Sequence, residues 1–297
     1  MINDFFYDIA IIGGGISSCV FASSHIKNGF KGRIALIENG RNLGGRSSTR
    51  ISRNNIGWKL NHGAPNFNIC NSNNNQLLKI FIEELLDLKI IQSDLSDLIE
   101  LYEDPKQSNK FNSFFYIGKN YISSSSMSEL SEKIISNYDF KNQIDYFFKT
   151  LIVKLEFKNN SWTLTSNKGY KFKTKFLVCS SNLILHKRSL DILNTNQIPL
   201  RKAIPINSDK KIDSIINLLN DQDYIQRLTF LIYTKSNYCY KDIYKKKFRY
   251  FLLNEIIEEQ FKFERIIFQK QSNDKLGIVI HTKNIEFINE FIKKNNK

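Results

Sequence analysis

Apolar positions along this chain fall into distinct rhythms, and each rhythm predicts a different element. Residues 7–12 (YDIAII) and 34–37 (IALI) are short, nearly unbroken apolar runs, the pattern of strands buried on both faces. Between them, residues 17–28 form a helical stretch closed by Gly29 and Gly32, residues suited to helix ends. A strand, a helix and a strand in about thirty residues make a βαβ unit, with parallel strands and a right-handed crossover. Residues 76–91 (QLLKIFIEELLDLKII) carry apolar side chains at i, i+3 and i+4 spacing and predict an amphipathic helix. The serines at 123–126 offer a cap to another helix over 127–138, with Glu129 in its first turn. From residue 151 the rhythm changes to alternation. Residues 151–153, 162–164 and 176–179 read as strands, with turns at Asn159-Asn160 and Lys168-Gly169. Helices at 212–219 and 284–292 and strands at 228–233 and 277–281 follow, whereas 39–75 reads as extended loops.

Composition narrows the class. With 297 residues, 41% apolar and 24% charged, the chain has material for one large domain or two ordinary ones and is not expected to be disordered. No run approaches the roughly 18 apolar residues of a membrane helix, and the N-terminus lacks the layout of a secretory signal. Cys19, Cys70, Cys179 and Cys239 are far apart with no C-x-x-C pair. That argues against a disulfide framework or structural zinc and for a reducing cytoplasm. The net charge of +14 suggests nucleic acid, but 33 lysines accompany 34 asparagines, 42 isoleucines and 5 alanines, the mark of A/T-rich codons. The lysines are spread out, so neither nucleic acid nor a membrane surface is expected as partner.

One asymmetry survives that drift. Ten of the 13 glycines lie in the first 63 residues, and five of the 10 arginines lie between Arg33 and Arg53. Glycine is kept where a backbone turns sharply or a ligand approaches it, and arginine suits phosphate. Gly13-x-Gly15-x-x-Ser18 follows the first strand and opens the helix, a dinucleotide fingerprint with Ser in place of the third Gly or Ala. The helix N-terminus offers unpaired N–H groups to an anion. Glu38 ends the second strand, 23 residues past Gly15, where a carboxylate accepts hydrogen bonds from ribose hydroxyls. Five residues on, Leu43-Gly44-Gly45-Arg46-Ser47-Ser48-Thr49-Arg50 can wrap the other face of a diphosphate. An NAD-type Rossmann domain needs no such loop, while FAD domains of the glutathione reductase class often carry one.

These segments, with residues 61–67 (NHGAPNF), resemble the renalase-like branch of the FAD-dependent amine oxidase superfamily. The resemblance is dense over residues 5–67 and thin over 115–190. It implies an α/β fold in which a Rossmann-like FAD-binding domain (1–72 plus 139–187) interleaves with an α+β substrate domain (73–138 plus 188–297). It implies FAD held by Gly13, Gly14, Gly15, Ile16, Ser17, Ser18, Glu38, Asn39, Arg41, Gly44, Gly45, Arg46 and Ser47. Asn61, His62, Gly63 and Ala64 would lie beside the flavin ring, and the backbone near Val153 would meet the adenine. The implied reaction is hydride transfer from a small molecule, an amine or a dihydronicotinamide-type NAD(P)H compound, to flavin that oxygen then reoxidises.

Three departures bear on that reading. The family's Asp stands as Asn61, its Gln-Tyr as Pro65-Asn66, and the chain reaches Lys297 without the Gly-Asp strand and Gly-rich helix start that usually close such a flavin site. A truncated member is therefore expected, with a non-catalytic ADP- or dinucleotide-binding remnant as the alternative. No catalytic residue stands out. His62 reads as a packing or hydrogen-bonding residue rather than a general base, Cys19 as a buried small residue, and His25, His186 and His281 lack partners at metal-ligand spacing.

Overall fold

The computed structural model describes residues 4–52, 57–70, 75–95, 97–101, 118–137, 142–234, 248–271 and 275–295. The chain divides into two compact units, each from two separate segments: Met1–Arg46 with Ser128–Asp223, and Ser47–Met127 with Tyr224–Lys297. The units part near residues 46, 127 and 223, where the sequence suggested divisions at 72, 138 and 187. The hairpin of strands Thr49–Ile51 and Lys59–Asn61 explains the first difference, because its partners come from the chain's last fifty residues.

The first unit is built on β1 (Asp4–Ile12), β2 (Ile34–Ile37), β3 (Ile144–Phe147), β4 (Ile152–Lys158), β5 (Ser161–Ser166) and β6 (Lys171–Cys179). They form one sheet in the order β4-β5-β6-β1-β2-β3. From β6 to β3 the neighbours are parallel, and β4 and β5 join as an antiparallel extension. All four residues of β2 are buried, as an unbroken apolar run requires. Asn159 and Asn160 both take positive φ between β4 and β5, the demand of the tight hairpin turn read in the sequence. The crossover helix α1 (Ile16–Lys27) turns Ser18, Cys19, Ala22, Ser23 and Ile26 inward. That mostly small-residue face gives the helix little bulk against its neighbours. The apolar core of the unit gathers Tyr7, Ala10, Ile12, Ile37, Leu155, Leu164 and Phe172 with Leu200 and Ile216 from later helices.

The second unit carries a five-stranded sheet whose central members are Arg265–Lys270 and Leu276–Thr282, with Leu228–Thr234 and Asp97–Leu101 at its edges. Its buried centre is Leu60, Tyr250, Ile267 and Val279. The stretch read as loops contains three short strands, and the helix read over 76–91 stops at Asp87. Lys89 takes φ +52, and the buried Ile91 begins a strand paired with residues 121–123. Apolar spacing alone does not separate a helix end from a following buried strand.

Candidate functional site

Within the first unit the sequence-predicted phosphate cradle is assembled at the carboxyl ends of β1, β2 and β6, the usual location of ligands in open α/β sheets. Gly13 has φ +106, and a Cβ there would stand 3.0 Å from the Ser181 nitrogen, so only glycine fits the turn. Its N–H donates to the Ile37 carbonyl at 2.8 Å. Gly15 is the residue at which α1 begins. It is extended, no side chain caps the helix there, and a Cβ on it would meet nothing within 4 Å. An uncapped helix start with open space over its first glycine is the arrangement a phosphate group requires. Ser18, the departure at the third fingerprint position, is fully buried and satisfied: its hydroxyl donates to the Gly15 carbonyl at 3.0 Å and meets Ser180 Oγ at 3.3 Å.

Glu38 is aimed by the backbone around it. One carboxylate oxygen accepts from Gly14 N–H at 2.6 Å, and the other accepts from Gly40 N–H. Each oxygen has a second lone-pair direction, so the same carboxylate can accept ribose hydroxyls while it holds the glycine turn. Glu38 and Asn39 line a cleft with Gly13, Leu151, Ser181 and Leu183. The enclosed space is about 50 Å³. Val153 lies one residue past the lining Ile152, at an irregularity in the β4–β5 pairing.

The Gly44-Gly45 loop meets the glycine turn directly. Gly44 N–H donates to the Gly14 carbonyl at 2.9 Å, and Gly15 and Gly44 pair as an isolated parallel bridge. Both glycines have positive φ, and a Cβ on Gly45 would stand 3.2 Å from Gly15 Cα. The two loops are thus one continuous backbone surface, with no gap between them. Arg46 and Arg41 are exposed beside it, and Ile16 and Ser17 begin the helix. Cys19 is fully buried, with its thiol pushed up to about 12 by desolvation, which disposes of a reactive thiolate.

In the second unit, Asn61 is a structural hub. Its side-chain oxygen accepts from Thr49 Oγ1 at 2.7 Å and from the Met127 N–H at 3.1 Å. Its main chain is held by a side chain: Gln269 Oε1 accepts from Asn61 N–H, and Gln269 Nε2 donates to the Asn61 carbonyl, both at 2.8 Å. Gln271 repeats the pattern on Lys59, again with two bonds of 2.8 Å. His62 lies within 3.2 Å of Ser48 Oγ through Nε2, and burial lowers its pKa, so it stays neutral near pH 7. Its carbonyl accepts from His281 Nε2 at 3.1 Å, while Nδ1 of both rings is buried without a partner. Gly63 N–H donates to the Ser48 carbonyl, Ala64 is exposed, and Ser47 is buried at the start of the unit. No cluster of three metal-ligating side chains exists among the described residues.

Residues 11–85 match the NAD(P)-binding Rossmann-like domain. That span begins in β1 and takes in the glycine turn, Glu38 and the Gly44-Gly45 loop. No curated protein matches the chain in sequence. Solved structures do match it in fold. A triple mutant of putrescine oxidase, from a redesign of that protein's cofactor binding, aligns with a TM-score of 0.62 at 9% identity. The A394C mutant gives 0.60 at 10%, and the wild type bound to putrescine gives 0.59 at 10%. Each alignment covers 97% of this chain and 78% of the other. The chain therefore has the α/β fold of putrescine oxidase around a Rossmann-like domain.

Sequence reasoning missed Ser180, Ser181 and the stretch Thr150–Ile152. The strand read over 176–179 was a usable signal, since residues just past the carboxyl end of a parallel strand face the ligand side. It also missed Gln269, Gln271 and His281 as the residues that hold the 59–63 backbone. Nothing local marks them, because their partners lie more than two hundred residues away.

Proposed function

We propose that this chain is an FAD-dependent oxidoreductase of the renalase-like, amine oxidase type. The reading rests on one arrangement above all: the Glu38 carboxylate bonded to Gly14, beside an uncapped helix start over which Gly15 leaves open space. Gly13–Gly15 and the first turn of α1 would take the diphosphate, Glu38 the adenosine ribose, and Gly44-Gly45 with Arg46 would extend the same backbone surface beside the diphosphate. Asn61–Ala64 would border the flavin ring. Bound flavin would supply the hydride acceptor, and the chain would supply binding and orientation. The donor on this reading is an amine or a dihydronicotinamide-type small molecule, and the setting is the cytoplasm. Among the described residues no helix is long and apolar enough to cross a membrane.

Titration of the purified protein with FAD, followed in the visible flavin band, tests this. A shifted, structured spectrum that saturates at one FAD per chain is expected, and Glu38→Ala should weaken binding about tenfold or more, the loss of one or two charge-assisted hydrogen bonds. A flat titration overturns the catalytic reading. The alternative, an ADP-binding remnant, draws on Asn61, whose side-chain oxygen, main-chain N–H and carbonyl are engaged by the protein itself. Calorimetry separates the two: equal affinity for ADP and FAD favours the remnant, and much tighter FAD binding favours the enzyme.

A further inference from the structure

The sheet of the second unit carries a polar row beside its buried apolar centre. Leu252, Arg265, His281 and Thr229 stand directly opposite one another across four strands. Directly opposed residues share a face, so this row adjoins the row of Tyr250, Ile267, Val279 and Leu231. The segment after Asn61 is tied to it, since His281 Nε2 donates to the His62 carbonyl.

Arg265 is the unusual member. Its side chain is half-buried, Nε is wholly buried, and the guanidinium makes no hydrogen bond or ion pair among the described residues. Desolvation pushes its pKa down from the ordinary value, as expected of a charge that has given up water without a partner in return. The acid beside it in sequence is already taken: Glu264 accepts from Arg227 Nε at 2.7 Å and from Arg227 Nη2 at 3.0 Å. Glu258 pairs with Lys283 at 3.3 Å. Glu264 attracts Arg265 only through space, and Arg227 repels it. Among the described residues, then, Arg227, Arg265 and Lys283 share two carboxylates, and one positive charge is left over.

His281 leaves the complementary gap. Its Nε2–H is spent on the His62 carbonyl, so the neutral ring presents Nδ1 as an acceptor, and that atom is buried without a partner. Two neighbouring side chains thus hold an unanswered donor and an unanswered acceptor. A hydroxyl answers both, because it accepts and donates at once, while a carboxylate answers the rest of the guanidinium with paired bonds. A monoanion also matches a single spare charge better than a phosphate dianion does. An unpaired buried charge costs stability, and costs of this kind are kept where function recovers them.

We propose that Arg265 and His281 bind a small α-hydroxy carboxylate, its carboxylate on the guanidinium and its hydroxyl between Arg265 Nε and His281 Nδ1. The site does not rest on the flavin reading, because both residues belong to the second unit. Calorimetric titration of the full chain with lactate, propionate and isopropanolamine tests it. The three share a three-carbon frame, and the second lacks the hydroxyl while the third has an ammonium group in place of the carboxylate. Lactate should bind at least about fivefold more tightly than propionate and about tenfold more tightly than isopropanolamine. Arg265→Met should reduce lactate affinity about tenfold or more and leave the urea midpoint unchanged or raised, since the side chain it removes has no partner to lose. Lactate binding no tighter than either analogue, or indifferent to the arginine change, overturns the proposal. A lowered midpoint in the variant does so too, because it would make Arg265 a structural residue.

Discussion

At the scale of single residues, the glycine turn and Glu38 constrain one another. Gly13 has a conformation that L side chains avoid and a backbone nitrogen 3.0 Å from where a Cβ would stand. Gly13→Ala should therefore cost about 1–3 kcal/mol, read as a lowered urea midpoint, and should displace the Ser181 wall of the cleft. Glu38→Gln keeps the shape but sets an amide donor against one of two N–H groups it now accepts from. A loss of about 1–3 kcal/mol is expected, and a midpoint equal to that of the unaltered protein would show that Gly14 or Gly40 finds another acceptor. Both residues were legible in the sequence because their chemistry is local: a tight turn after a strand, and an acid at the end of the next. Ser18 was legible only as a small residue at a position of close contact. Its bond to Ser180 depends on a strand that arrives some 160 residues later.

At the scale of elements, the buried parallel strands and the long amphipathic helices were readable, since their rhythms extend over several positions. The short strands Thr49–Ile51, Lys59–Asn61 and Phe67–Ile69 were not, because three residues cannot show a period. The hairpin made by the first two is tied to the neighbouring chain by glutamine side chains acting as stand-ins for a peptide backbone. Gln269→Ala would strip both bonds from the Asn61 main chain and cost about 1–3 kcal/mol for each group left unpaired. Hydrogen exchange at residues 59–61 should quicken in that variant more than at residues 276–282. Equal protection in both places would mean that the hairpin stands without the glutamine.

At the scale of the whole molecule, the sequence conveyed an α/β chain opening with a nucleotide-binding βαβ unit, and the structure carries that reading through. What no local pattern conveys is which distant stretches pair, since that is decided by contacts such as Gln271 with Lys59, across 212 positions. The same long-range packing makes stability depend on pH. His281 is buried with its pKa pushed down to about 4, first by desolvation and then by Arg265. Its Nε2 donates to a carbonyl, so the fold holds it neutral. In the unfolded chain a histidine titrates near 6.5, so acidification below about pH 6.5 protonates the unfolded state first. The stability that neutral His281 contributes is present in full above that pH and is lost progressively down to about 4. Urea midpoints measured from pH 7 downwards should fall more steeply for the unaltered protein than for His281→Gln. Parallel profiles would assign the acid sensitivity to other groups.

The two glutamines that grip the Lys59–Asn61 strand have one further consequence. Each offers an oxygen to an N–H and an NH2 to a C=O, a match that survives only while the side chain remains a primary amide. Hydrolysis to glutamate would turn an attraction into oxygen facing oxygen at the carbonyls of Lys59 and Asn61. A glutamate at either position would therefore release this hairpin's hold without the cleavage of any backbone bond.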